Sequence, residues 1–203
     1  MSQTIKLMLS VLIISFLTSC ATSIKPGELA SVKTIGVINK FPEYPSYSKV
    51  SFNAFDYSHS FINDESVNKT LSDKTIAYLT AKGFKVQLIE DSERNSYDMI
   101  LEITPREVYQ VSETYGYGVQ QRAINLGLSN PIKSYVSMYI DAYIQGRRIG
   151  SKFDHTEHTK IDIEDITKDW DELSADNKKK IINSLNMNID KTINILMPRI
   201  GIK

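Results

Sequence analysis

Cysteine is almost absent from this chain of 203 residues, which contains Cys20 alone. A single thiol excludes any disulfide within the chain. Lys and Arg together number 24, as do Asp and Glu, so the sequence has no net charge. A neutral chain lacks the electrostatic footprint of a nucleic-acid-binding protein, and its composition predicts no polybasic region for anionic lipid. The composition therefore argues against nucleic acid as a partner.

The sequence also lacks an apolar run long enough for a membrane-spanning helix, which needs about 20 residues. The apolar run that begins near Ile5 is broken by Thr18. Lys6 precedes the apolar residues 7–16, and small residues follow them up to Cys20. This order of a positive residue, a short apolar region and small residues is typical of a signal peptide.

The end of that region, Leu17-Thr18-Ser19-Cys20, resembles the lipobox of bacterial lipoproteins. The resemblance implies a signal peptide over residues 1–19, cleaved before a cysteine whose sulfur carries diacylglycerol. An ordinary secretory signal peptide is the alternative, and it would leave one unpaired thiol in an exported protein. Acylation with two or more chains, palmitate among them, gives stable membrane attachment.

The lipoprotein resemblance also implies a location. Aspartate after the lipidated cysteine commonly retains a lipoprotein at the inner membrane, and Ala21 stands there instead. We therefore expect an outer-membrane protein with a lipidated tether over residues 20–30 and one domain, residues 31–203, in the periplasm. The tether is short and polar in this interpretation, and it contains Pro26 and Gly27.

Apolar periodicity predicts the main elements of the domain. Strict period-two alternation predicts a long strand over residues 133–145, and Gly146 turns it into a partner strand over 148–159. Helical spacing predicts one helix from Asp64 to Gly83 and another from Ser174 to Pro198. Shorter strands are predicted over residues 32–38, 84–89 and 97–104, with an extended segment over 49–57. Residues 107–112 are predicted to be extended, and 115–118 and 125–131 to be loops.

This element order predicts an α/β (α+β) fold: a single layered domain with a mixed β-sheet and two main helices packed on one face. Four places, Val37–Phe41, Lys82–Val86, Tyr97–Ile103 and the hairpin at Gly146, are similar to the N-terminal α/β domain of TolB and to PelC-like and CsgG-like outer-membrane lipoproteins. The resemblance implies a role in an envelope assembly or scaffold rather than chemistry, with a protein partner or further copies of the chain.

Candidate chemistry is sparse. His155-Thr156-Glu157-His158 invites a zinc interpretation, but two histidines three apart in a strand point to opposite faces. His155 and Glu157 share a face, and a third ligand is needed for a metal site. We therefore predict no enzyme activity, no metal and no cofactor, and keep a metallohydrolase at His155 as the weakest hypothesis.

Tyrosines are the more promising signal. Tyr135, Tyr139 and Tyr143 share one face of the long strand, and Tyr115 and Tyr117 fall in the predicted loop. Two interpretations remain open for the strand: the rings pack beneath a helix, or they form a protein-binding surface, where tyrosine is enriched. The first hypothesis is thus a non-enzymatic scaffold lipoprotein. The alternative is a small-ligand or cell-wall binding lipoprotein with a pocket beneath the Tyr115 loop.

Overall fold

A computed structural model describes residues 23–50, 57–106, 115–122, 131–158, 161–163, 166–167 and 169–203. Cys20 and the predicted signal peptide lie outside the described residues, as do the segments predicted over 107–112 and most of 125–131. The strands are β1 (Thr34–Asn39), β2 (Ser46–Val50), β3 (Tyr57–Phe61), β4 (Lys85–Leu88), β5 (Met99–Pro105), β6 (Tyr117–Arg122), β7 (Ile132–Ile144) and β8 (Arg147–His158). The helices are α1 (Pro26–Leu29), α2 (Ser66–Ala81) and α3 (Ala175–Ile200).

One mixed sheet organises the fold, with the strand order β3-β2-β6-β7-β5-β1-β4 and β8 on the other side of β7. β1 runs parallel to β4 and β5, whereas β7 is antiparallel to β5, β6 and β8. β7 is long enough to pair with β6 through its first half and with β5 through its second half. Where the partner of β7 changes from β6 to β5, Ser137 N donates to Gly116 O at 2.6 Å, and Arg106 N donates to Ser137 O at 3.0 Å.

Both long helices pack against the same face of this sheet, as the sequence predicts. α3 contacts β7 and β8, and α2 contacts α3, β1 and β4. The core between helices and sheet contains fully buried side chains from every layer, such as Leu71 in α2, Leu101 in β5, Ile140 in β7 and Leu185 in α3. The predicted mixed α/β layered domain is therefore confirmed.

The helix ends agree with the sequence in three of four cases. Asp64 Oδ1 accepts a hydrogen bond from Ser66 N at 2.9 Å, Gly83 ends α2 with φ 90°, and Ser174 Oγ caps α3 by accepting from Asn177 N at 3.3 Å. The prediction that Pro198 stops α3 is wrong, because the helix continues to Ile200 and ends at Gly201, with φ 113°. Burial of Met197 and Ile200 around the proline outweighs the one hydrogen bond that it cannot donate.

Ile24, in the segment predicted as a polar tether, is packed on the domain, whereas most of residues 23–30 are exposed. Ile24 is 4% exposed, and its N–H donates to Ile200 O at 2.7 Å. Ser23 Oγ donates to Arg199 O at 2.9 Å. A β-carbon on Gly150 would lie 2.9 Å from Ile24 Cγ1, so the absent side chain at Gly150 makes the space that Ile24 fills. The chain is therefore attached to the C-terminal end of α3 from its first described residue.

Candidate interaction surface

The two faces of β7 have different partners. Ser134, on the helix side, contacts Ser184 of α3 through their hydroxyl oxygens at 2.6 Å and accepts from Asn188 Nδ2 at 2.9 Å. Tyr135, Tyr139 and Tyr143 alternate with these positions and lie on the opposite side of the sheet. The interpretation that these tyrosines pack beneath one of the two long helices is therefore wrong, because both helices cover the other face.

Aromatic rings from β7 and β8 meet on that opposite side. The register pairs Tyr139 with Phe153, and their ring centroids are 5.0 Å apart. Arg106 lies over both rings, with its Cζ 4.1 Å from the Phe153 centroid and 5.7 Å from the Tyr139 centroid. Tyr135 stacks on His155 at 6.4 Å. We call Tyr139, Tyr143, Phe153 and Arg106 the aromatic face; all four are half-buried.

A buried carboxylate lies beside the aromatic face. Glu102 of β5 is 5% exposed and forms ion pairs with Arg94 and with Lys40, whose Nζ is 3.3 Å from Glu102 Oε2. Arg94 also contacts Asp91 Oδ1 at 2.8 Å and lies over the Tyr143 ring, 5.6 Å from its centroid. The hydrogen bond from Arg94 holds the pKa of Asp91 below its ordinary value. Arg94 and Lys40 thus offset the desolvation of Glu102, and the ion pair with Glu102 holds Arg94 against the sheet.

Tyr143 joins this charged cluster to the aromatic face. Burial raises the pKa of Tyr143 above its ordinary value of 10, and the nearby carboxylate of Asp141 raises it further. The phenol therefore stays neutral near pH 7, with its hydroxyl available as donor and acceptor. Together, the half-buried rings and guanidinium groups can bind a partner by ring packing and hydrogen bonding.

The structure separates the five predicted surface tyrosines into two groups. Tyr139 and Tyr143 are half-buried on the aromatic face, and Tyr115 is 45% exposed. Tyr135 is 3% exposed and Tyr117 is fully buried, so these two do not lie at the surface. The prediction of a loop at Tyr117 is wrong, since it begins β6 and faces the helix-covered core.

Tyr117 is held in the core by specific contacts. Its ring packs edge-on against Phe41 at 4.9 Å, and its hydroxyl donates to Pro42 O at 2.6 Å. Burial raises the pKa of Tyr117 to about 12. Gly118 permits the strand, because a β-carbon there would lie 2.3 Å from Ser46 O in β2. Gly118, which suggests a mobile loop from sequence, instead allows close approach of β6 and β2.

Sequence reasoning missed Phe153, Arg106, Arg94 and Glu102. The position of Phe153 could have been predicted. Counting equal numbers of residues along both strands from the turn at Gly146 places Phe153 close to the position opposite Tyr139. A register shift between Ala142 and Tyr143 makes that count inexact by one residue. No sequence pattern pairs Glu102 with Arg94, since the contact depends on how the segment after β4 folds back over the sheet.

His155 and Glu157 are brought together as expected for alternate residues of one strand. His155 Nε2 lies 3.3 Å from Glu157 Oε1, and Glu157 Oε2 accepts from Lys133 Nζ at 2.9 Å. Although burial opposes it, these two contacts keep the pKa of Glu157 below its ordinary value. Within the part of the chain that the structure describes, no three His, Cys, Asp or Glu side chains gather as metal ligands.

Two cavities of about 670 Å³ are lined by described residues. One lies at the turn end of β7 and is lined by Tyr97, Asp98, Ile100 and Tyr143 among others. The second lies at the start of α2, beside Asn39 and residues 65–73. Neither of these two is lined by Tyr115, beneath which the alternative hypothesis places a pocket.

Comparisons with known proteins find likeness in fold. No family model matches the chain, and no curated protein matches it. A DUF330 protein from Xanthomonas campestris is similar, with TM-score 0.47, 7% identity, and coverage of 87% of this chain and 88% of that one. Among the described residues, no helix has the length and hydropathy of a membrane span.

Two further solved structures are similar. The PelC dodecamer from Paraburkholderia phytofirmans has TM-score 0.35 and 10% identity, covering 83% of this chain and 91% of that one. Lipoprotein GNA1162 from Neisseria meningitidis has TM-score 0.37 and 11% identity, covering 81% and 99%. The solved structures similar to this chain thus include bacterial lipoproteins.

Proposed function

We propose that this protein is a non-enzymatic lipoprotein, anchored in the outer membrane through acylated Cys20 with its domain in the periplasm, that joins a cell-envelope assembly through its aromatic face. The lipobox-like Leu17-Thr18-Ser19-Cys20 supports the anchor, and Ala21 supports the outer membrane. The assembly partner is another envelope protein or further copies of this chain.

One observation carries the interaction role: the aromatic face lies opposite both long helices. Tyr139, Tyr143 and Phe153 remain half-buried there, with Arg106 lying over two of the rings. Tyrosine and arginine are enriched at protein interfaces and in their energetic hot spots, because each combines a large apolar area with hydrogen-bonding groups. The side chains fixed by their neighbours lose little entropy on binding.

The test of this role is a double variant, Tyr139→Ala with Tyr143→Ala, expressed as the acylated protein in its native envelope. Because truncating a hot-spot residue costs about 2 kcal/mol or more, we expect a loss of partner capture of at least about ten-fold by crosslinking and pull-down. The matched control is Tyr44→Ala, a half-buried tyrosine whose hydroxyl contacts Glu65 at 3.3 Å. Full retention of every partner by the double variant, or equal loss in the control, would reject the aromatic face as the interface.

The anchor has its own test. Mass spectrometry of the mature chain is expected to find Cys20 at the N-terminus carrying acyl groups, in the outer-membrane fraction. Cys20→Ala removes the acylated sulfur, so this variant is expected to leave that fraction. Ala21→Asp is expected to move the protein to the inner membrane. An unmodified N-terminus on material from inside the cell would contradict the lipoprotein assignment.

The cavity beside Tyr143 favours a second candidate function, a periplasmic small-ligand or cell-wall binding lipoprotein. Its volume of about 670 Å³ lies within the usual range for ligand sites, about 300–1,000 Å³. Peptidoglycan fragments are then expected to raise the melting temperature, and Ser31→Trp, which fills the cavity from its exposed rim, is expected to abolish that rise. Absence of any rise in the unaltered protein would eliminate this candidate.

A further inference from the structure

One end of the domain, which we call the base, collects several chain ends. α2 and α3 both finish there, because the Tyr78 hydroxyl near the end of α2 donates to Ile202 O at 3.4 Å. The parallel strands β1 and β4 both begin there, with Lys85 N donating to Lys33 O at 2.9 Å. The β7–β8 turn lies there too, since Arg147 contacts Glu28 Oε1 at 3.0 Å.

The base is rich in exposed cations that are far apart in sequence. They are Lys25, Lys33, Lys82, Lys85, Arg147, Arg148, Arg199 and Lys203. The three arginines have carboxylate partners: Arg147 has Glu28, Arg148 has Asp141 at 3.6 Å and Arg199 has Asp154 at 3.0 Å. Within the described part of the chain, the five lysines form no ion pair. The folded chain is therefore locally basic here although its total charge is zero.

Helix electrostatics explain only some of these lysines. The C-terminal end of a helix attracts cations, so Lys82 after α2 and Lys203 after α3 have a structural explanation. Lys33 precedes β1 and Lys85 begins β4, whereas Lys25 follows Ile24, whose N–H donates to Ile200 O at the end of α3. These three lysines are exposed and form no ion pair within the described residues, although the carboxylates of Glu28 and Asp98 accept hydrogen bonds from the backbone N–H groups of Lys25 and Lys33.

The base is also where the chain leads toward Cys20. Three peptide units separate Cys20 from Ser23, which is hydrogen bonded to the end of α3. Fully extended, they reach about 10 Å. That reach is close to the Debye length of about 8–10 Å at physiological salt. If Cys20 carries lipid, Ser23 at the base lies within electrostatic range of the headgroups.

We infer that the base docks on anionic phospholipid headgroups of the leaflet that holds the anchor, so that the domain stands on its base. This inference rests on the proposed lipid anchor. Each basic residue near an anionic membrane strengthens binding by about five-fold. Docking would orient the axis of α3 along the membrane normal. The aromatic face would then be perpendicular to the membrane and accessible to a partner.

The single tryptophan of the chain measures this orientation. Trp170 packs against Tyr47 and lies just before α3, whose 26 residues span about 39 Å to the base at about 1.5 Å per residue. The acylated protein is reconstituted into vesicles that carry dansyl-labelled headgroups, with phosphatidylcholine alone or mixed with phosphatidylglycerol. Energy transfer from Trp170 to dansyl is expected to be low with phosphatidylglycerol, because docking holds the tryptophan far from the bilayer.

The decisive variant is the triple substitution of Lys25, Lys33 and Lys85 by Gln, which is expected to weaken docking by about a hundred-fold. Energy transfer then rises to the level seen with phosphatidylcholine. The matched control replaces Lys69, Lys179 and Lys180 by Gln and keeps Lys178, whose Nζ lies 5.5 Å from the centroid of the Trp170 ring. It changes the charge equally near the starts of α2 and α3, away from the base, and its energy transfer is expected to stay low. Raised salt is expected to act like the base variant, because it screens the headgroup charge.

The two proposals fail in different ways. If the purified protein carries no acyl group and does not float with vesicles, the proposed anchor is wrong, and the inference falls with it. If the protein floats but energy transfer is equal on the two lipids, docking is overturned while the anchor stands. Equal transfer from the base variant and its control also overturns docking.

Discussion

The two faces of the sheet are built from the same strands and have different contents. On the helix-covered face, β7 contributes Val136, Met138 and Ile140, all fully buried under α3. On the aromatic face, the same strand contributes Tyr139 and Tyr143, half-buried among arginines. The first face excludes water and stabilises the fold, whereas the second keeps polar atoms at the surface of a rigid sheet. Neighbouring residues of one strand thus serve stability and recognition separately.

The largest expected effect compares two adjacent residues of β7. Ile140→Ala should lower the free energy of unfolding by about 2–5 kcal/mol, since it opens a cavity in the core. Tyr139→Ala should lower it by only about 1 kcal/mol, because the half-exposed ring loses few buried contacts. Urea unfolding measures both. Equal losses would mean that the aromatic face is a second core rather than a surface.

Alkaline pH separates the faces through their tyrosines. Burial raises the pKa of Tyr117 to about 12 from the ordinary 10, so the folded state keeps this proton longer than the unfolded state. The contribution of Tyr117 to the free energy of unfolding is therefore fully present below about pH 10. The free energy of unfolding falls by about 3 kcal/mol as the pH rises to about 12.

Tyr117→Phe should remove that part of the alkaline loss, whereas Tyr143→Phe on the half-open face should remove less. Urea unfolding from about pH 9 to about pH 12 gives the two profiles. An unchanged profile for Tyr117→Phe would show that this phenol is not buried as the fold requires.

The N-terminal segment packs on the helix-covered face of the sheet, close to the base of the domain. Gly150→Ala would place a β-carbon 2.9 Å from Ile24 Cγ1 and 3.0 Å from Ile200 Cγ1, and should cost about 1–3 kcal/mol by overpacking. Gly27→Ala is the matched control, since nothing lies within 4 Å of its β-carbon position. Hydrogen exchange at Ile24 N should accelerate in Gly150→Ala alone; equal exchange in both variants would contradict the packing.

The smallest stability effect is expected for Arg106→Ala. Loss of its contacts with Phe153 and Tyr139 should cost about 0.5–1 kcal/mol, as for a partly exposed cation–π contact. Partner capture should nevertheless fall, because the guanidinium is part of the aromatic face. A large loss of stability without loss of capture would assign Arg106 to the fold alone.

Much of the architecture could be predicted from local patterns. Alternation along residues 133–145 identified β7 and both of its faces, and capping residues identified where α2 and α3 begin. The candidate surface was predicted only in part. Tyr117, Tyr135 and Tyr139 are the same type of residue, and they differ in how far the rest of the chain buries them. The prediction that α3 ends at Pro198 was wrong because local helix rules do not include the burial of Met197 and Ile200.

By itself, the sequence determined the periodicities, the caps and the lipobox-like segment, because each depends on residues close together along the chain. Tertiary structure decided the rest. It split the tyrosines between core and surface, joined Glu102 to Arg94 and Lys40, and gathered lysines from distant segments into one base. Neutral composition hid that base, because composition sums charge over the chain while a membrane or partner responds only to charge within about 10 Å.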